Sequence, residues 1–129
     1  MKRTIAAYKH NQIFMSTPGD LLIALYDGMA RFCTEAKEAI ERKNPAAKGV
    51  AIGRAFDIIT ELSASLDESK DPKFCREMSR LYDYWFNRLQ QGSLTMNAEP
   101  VDEVIRQVLE MRGTWHQAVA IARREGVRA

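Results

Sequence analysis

Apolar residues recur along this chain at steps of three and four, the period of a helix with one buried face, and no segment alternates as a strand would. The first run is Leu22, Leu25, Tyr26, Met29, Phe32, Cys33, Ala36 and Ile40. Thr17, Pro18 and Asp20 lead into it with an approximate capping box and a first-turn proline, and Asn44-Pro45 stops it. A second helix is predicted from about Ala46 to Leu66. Ala51, Ala55, Ile58, Leu62 and Leu66 form its expected core stripe, and Ile52, Phe56, Ile59 and Ser63 widen the apolar arc to roughly 160°. A polar turn over 67–71 follows, and Asp71-Pro72 supplies a cap and a first-turn proline for the third helix. There Phe74, Met78, Leu81, Trp85 and Leu89 point one way, Cys75, Tyr82 and Phe86 flank them, Tyr84 stands apart, and Gly92 is the expected stop. The fourth helix is predicted from near Pro100 to Gly126, with Val101, Val104, Ile105, Val108, Leu109, Met111, Trp115 and Val119 on its apolar face. Asp102 and Glu103 suit its positive end, and Arg123 and Arg124 its negative end.

Four amphipathic helices with short links predict an all-α fold, an antiparallel four-helix bundle in a single domain over 1–129. The bundle is expected over 17–126. Residues 1–15 form an N-terminal arm or a short extra helix, in which Ile5, Tyr8, Ile13 and Phe14 interrupt an otherwise polar stretch. A disordered terminus is the competing reading of that arm.

Composition narrows the classes. The chain is 46% apolar and 28% charged, ordinary for a soluble globular domain, and its net charge of +2 lacks the dense basic stripe that phosphate recognition needs. No partnership with nucleic acid is expected. No apolar run reaches the roughly 18 residues of a membrane span or follows Met1-Lys2-Arg3 as a signal peptide would, so a cytoplasmic location without membrane insertion is expected. Cys33 and Cys75 sit at core positions without a CxxC pair and read as reduced. Neither His10 nor His116 has ligand spacing around it, so no metal or other cofactor is expected. No nucleophile has a base and an orienting group, so the protein is not expected to be an enzyme.

Two features exceed what a small bundle needs. Tyr82, Tyr84, Trp85 and Phe86 put four rings into five residues, and the second helix carries an apolar arc wider than its core stripe. If these helices are neighbours, Ile52, Phe56, Tyr82 and Phe86 line a groove, with Ile59 on the same flank. Such grooves receive amphipathic helices or extended peptides. The competing reading is that the arm or a second copy of the chain covers them.

The chain resembles the flagellar secretion chaperone family (FliS), the cytoplasmic export chaperones of flagellin. The likeness runs from about Ile5 to Trp115 through Ile5-Ala-Ala-Tyr8, Ser16-Thr-Pro18, Leu25-Tyr26-Asp27-Gly28, Lys48-Gly49, Ala55, Ile58-Ile59, Leu66-Asp67, Leu81-Tyr82-Asp83-Tyr84 with Arg88-Leu89, and Trp115. It departs from the family at Asp71-Pro72, where relatives often carry two glycines, at Glu77, often asparagine, and at Gly92-Ser93, often alanine-asparagine. The resemblance implies an antiparallel four-helix bundle that binds the disordered C-terminal segment of flagellin in a hydrophobic groove. It further implies that the bundle prevents premature polymerisation and delivers flagellin to the cytoplasmic domain of a flagellar export gate protein. The arm positions Ile5 and Tyr8 are implicated in handling the client and in docking. The alternative from another class is a helical-bundle adaptor that binds some other amphipathic helix, or a self-associating regulatory homodimer.

Overall fold

A computed structural model describes residues 19–126, and these form four α-helices: α1 Gly19–Glu41, α2 Pro45–Ala64, α3 Pro72–Thr95 and α4 Ala98–Arg124. The arm residues Ile5 and Tyr8, and the cap residues Thr17 and Pro18, lie outside the described residues. The links over 42–44, 65–71 and 96–97 are too short for anything but reversal, so successive helices run antiparallel. α1 packs broadly on both α2 and α4. α3 closes the square against α2 and α4 through narrower contacts.

The starts of α2, α3 and α4 rest on side-chain caps. Asn44 accepts from the Ala47 amide at 3.1 Å, Asp71 from Phe74 at 3.0 Å and Asn97 from Glu99 at 3.0 Å. Each satisfies an amide that the helix itself leaves without a partner. Asn44-Pro45 therefore does more than stop α1, because it also starts α2. Likewise α4 begins two residues ahead of Pro100, which lies buried in its first turn where a missing N–H costs nothing.

The ends differ more from expectation. α1 and α3 close with the same pair of hydrogen bonds, Asn44 N–H to Ala39 O with Lys43 N–H to Ile40 O, and Asn97 N–H to Gly92 O with Met96 N–H to Ser93 O. These are Schellman closures, and the left-handed position that usually takes glycine is filled by Lys43 (φ 58°) and Met96 (φ 52°). Gly92 accordingly does not end α3, which continues to Thr95. Its role is steric: a Cβ at Gly92 would stand 2.9 Å from Asn97 O and 2.9 Å from Val101 Cγ2. The turn into α4 folds back over the bare backbone.

The core joins all four helices and is unusually aromatic. Tyr26 on α1 and Tyr82 on α3 meet across the diagonal with their hydroxyl oxygens 2.8 Å apart, both side chains fully buried. Trp85 and Trp115 present edges to the Tyr26 ring at centroid distances of 6.0 and 6.4 Å, and Phe74 meets Trp115 at 6.4 Å. Burial pushes both phenols far above their ordinary range, with hydrogen bonds from Tyr82 and Trp115 partly offsetting this at Tyr26. Both stay protonated and act as structural hydrogen-bond partners.

The phase of α2 differs from expectation. Its buried stripe is Ala51, Ile52, Ala55, Ile59 and Leu62, while Ile58 is only half-buried. Gly28 is the cause. A Cβ there would lie 2.9 Å from Ile58 Cδ1, so the bare α1 backbone admits Ile58 into the α1–α2 seam and turns Ile52 and Ile59 inward.

Two substitutions check these packing arguments. Gly92→Ala should destabilise by about 1–3 kcal/mol through overlap with the following turn. Gly53→Ala, with nothing within 4 Å of its added Cβ, should stabilise by about 0.5–1 kcal/mol. Urea unfolding of each variant measures both. In the core, Tyr82→Phe should cost about 1–3 kcal/mol by stranding the Tyr26 hydroxyl. The double variant Tyr26→Phe/Tyr82→Phe should cost clearly less than the sum of the singles, in a double-mutant cycle.

Candidate partner-binding surface

The residues expected to line a groove divide cleanly. Ile52, Ile59 and Tyr82 are buried in the core, so the expectation that they line an open groove is corrected. The first two turn inward with the phase of α2, and Tyr82 does so because its hydroxyl finds Tyr26. Phe56 and Phe86 remain. Their rings stack at 4.2 Å between centroids with 29° between planes, bridging α2 and α3. Phe86 is 37% exposed and Phe56 half-buried.

The surroundings of the stack are open. On α2, Cβ atoms at Gly49 and Gly53 would meet nothing within 4 Å. The Lys48 ammonium donates to the Ser93 carbonyl at 3.0 Å, tying the start of α2 to the last turn of α3. Beyond it Leu94 is 77% exposed. The seam thus offers two apolar faces at its floor and little side-chain bulk along its α2 rim.

A second opening was not foreseen. Between α3 and α4, a cleft of about 330 Å³ is lined by Leu81, Trp85, Gln107, Glu110 and Met111. Leu81, expected in the core, is half-buried on its wall. Beside the cleft, the Trp85 indole N–H donates to Gln107 Oε1 at 2.8 Å, and Gln107 Nε2 donates to Glu103 at 3.3 Å. Glu103 also accepts from the Tyr84 hydroxyl and from Arg88 Nε, the latter at 2.8 Å. The Tyr84 hydrogen bond above all, with Arg88, holds the Glu103 carboxyl below its ordinary range, and the same bond raises the Tyr84 phenol. On the other side of α4, Asp102 pairs with Lys37 and Arg106, and the Lys37 hydrogen bond chiefly lowers its carboxyl. Arg112 pairs with Asp27 and Arg123 with Asp20, so Asp20 and Asp27 bind α4 to α1.

The potentially reactive groups are muted. Cys33 and Cys75 are buried and unbridged. Burial pushes the Cys33 thiol up to about 12, and burial together with Glu68 and Asp71 raises Cys75. Neither supplies a thiolate near neutrality. Among the described residues, no three His, Cys, Asp or Glu side chains gather as metal ligands would, and no helix is long and apolar enough to cross a membrane.

Residues 1–122 match the family described as "Flagellar protein FliS". The chain is 31% identical over 119 residues to the flagellar secretion chaperone FliS of Bacillus subtilis (strain 168), a match covering 92% of this chain and 88% of the relative. It is 31% identical over 106 residues to the FliS chaperone of Salmonella typhimurium, covering 81% and 78%. Against the flagellar secretion chaperone FliSB of Pseudomonas aeruginosa it is 30% identical over 104 residues, covering 81% and 82%. A helical bundle with an exposed aromatic seam and these likenesses defines a chaperone-type binding protein. The chain belongs to the FliS family of flagellar secretion chaperones.

The α3–α4 seam should respond to acid through Glu103. Because the Glu103 carboxyl is lowered in the fold, its contribution is present above the ordinary value of 4.5 and fades as pH falls through the depressed folded value. Glu103→Gln should therefore be less stable than the wild type at pH 7, and the difference should vanish at the acid end. Denaturant midpoints read by tryptophan fluorescence at both pH values measure it.

Proposed function

We propose that this protein is a cytoplasmic export chaperone that binds the disordered C-terminal segment of flagellin along the α2–α3 seam. In this reading it prevents premature polymerisation and passes flagellin to the cytoplasmic domain of a flagellar export gate protein. The observation that carries the proposal is the Phe56–Phe86 stack, partly exposed on a bundle whose own core is already closed by Tyr26, Tyr82, Trp85 and Trp115. Membership of a family whose members are named flagellar secretion chaperones supports a flagellar protein as the client.

The energetics suit the role. A segment that folds on binding buries about 1,000–3,000 Å² and spends about 2–5 kcal/mol on ordering. At about 25 cal/mol per Å² even the smaller area exceeds that cost severalfold before association entropy is charged. Apolar burial is reversible and unscreened, which suits a carrier that must release its cargo. Ile5 and Tyr8, on the arm outside the described residues, complete the proposed binding set with Phe56 and Phe86. The role calls for neither catalysis nor a cofactor.

The reading is tested by titrating this protein with a peptide spanning the flagellin C-terminus. Phe86→Ala and Phe56→Ala should each weaken binding by about tenfold or more, while melting stays within a few degrees. Affinity should change little between about 50 and about 500 mM salt. A peptide that fails to bind, or binds both variants equally, overturns the proposal. A sharp loss of affinity with salt does so too.

A further inference from the structure

Both walls of the α2–α3 seam lack acids along the half that carries the Phe56–Phe86 stack. Residues 44–56, at the start of α2, and residues 84–98, at the end of α3, hold Lys48, Arg54 and Arg88 and not one Asp or Glu. Acids resume at Asp57, Asp83 and Glu99. Two of the three cations serve other edges. Arg88 pairs with Glu103 on α4, and Arg54 lies over the Phe32 ring of α1, at 5.6 Å from its centroid. Lys48 instead spans the seam, reaching from α2 to the Ser93 carbonyl of α3 at 3.0 Å.

That carbonyl occupies one of the three N–H donors of the ammonium. The other two have no partner among the described residues, and no carboxylate there pairs with Lys48. The side chain is half-buried, so water reaches it less freely than it reaches a surface lysine. Beside it the α2 rim is bare, since Cβ atoms at Gly49 and Gly53 would meet nothing within 4 Å. Lys48 precedes Phe56 by eight residues, about 12 Å along the helix. The seam thus combines an apolar floor with one positive group at its end and clear space next to that group.

We infer that Lys48 is the charged contact of this seam and receives the terminal carboxylate of the docked segment. This rests on the reading above, in which the client presents its C-terminal end, and every free chain end carries such a group. A carboxylate placed there takes up the two unpaired donors, and neither wall holds an acid nearby to repel it. The contact also sets the direction of the segment. Only one orientation brings the chain end to Lys48 while apolar side chains reach the Phe56–Phe86 stack. A single half-buried contact is weakly screened, so the small salt dependence expected of the seam is retained.

The test compares two versions of the flagellin C-terminal peptide on the full chain, one ending in the free acid and one in the amide. The wild type should bind the acid about fivefold more tightly. Lys48→Met should lose that preference, and Lys48→Arg, which keeps the charge, should retain it. Phe86→Ala should weaken both peptides alike and leave the preference in place. The readout is the ratio of the two affinities, which a purely structural contribution of the Lys48–Ser93 bond does not move. Equal binding of acid and amide by the wild type overturns the inference and leaves the flagellin reading standing. A preference that survives in Lys48→Met does the same. A loss on replacing an internal acid of the peptide by its amide, with no loss on capping the end, assigns the contact to a side chain and also overturns it. Failure of both peptides to bind sinks the flagellin reading, and the role of Lys48 with it.

Discussion

The hydroxyl pair of Tyr26 and Tyr82 is the constraint around which this bundle is arranged. A buried hydroxyl without a partner is costly, and here two such groups solve the problem for each other at 2.8 Å. The bond spans the diagonal of the square, so it fixes the rotation of α1 and α3 together. Once Tyr82 faces inward, Trp85 and Leu89 follow it into the core, and Phe86 is carried to the edge facing α2. The exposed ring is thus a geometric consequence of the interior bond. Interior specificity and surface chemistry share one helix, with only a few residues between the two roles.

Polar contacts then distribute the neighbours. α4 is tied to α1 through Asp20, Asp27 and Asp102, and to α3 through Glu103 and Gln107. Individually such partly exposed pairs contribute little. Their positions matter more, because they occupy both long edges of α4 and leave the α2–α3 edge without an ion pair among the described residues. That edge is held by ring stacking and by one lysine on a helix-end carbonyl. That edge without an ion pair is also where the Phe56–Phe86 stack meets water.

Much of the architecture was legible in the sequence. Asp71-Pro72 marked the start of α3, and the three-four spacing marked every helix. The misreadings have physical causes. Gly92 resembled a stop because glycine favours the left-handed closure, yet Met96 adopts it, and Gly92 serves the close approach of Asn97 and Val101. The phase of α2 was misjudged because a helical wheel cannot see that Gly28, on another helix, draws Ile58 aside. Three of the five expected groove residues on α2 and α3 were lost to that shift and to the tyrosine pair, leaving Phe56 and Phe86. The Glu103 network was invisible in one dimension, since Tyr84, Arg88 and Gln107 reach it from two helices.

The uneven support of α3 has a further consequence. α1 leans on two neighbours along most of its length, whereas α3 touches its neighbours through narrower strips and a cleft opens along one of them. The molecule is therefore stiffer on one side than the other, and its amides should exchange with deuterium soonest where Phe86 rides. A pliant wall beneath the aromatic stack can shift by fractions of an ångström to match side chains of different size. In the proposed chaperone role, tolerance of cargo variation would then come from the scaffold, without altering the rings themselves.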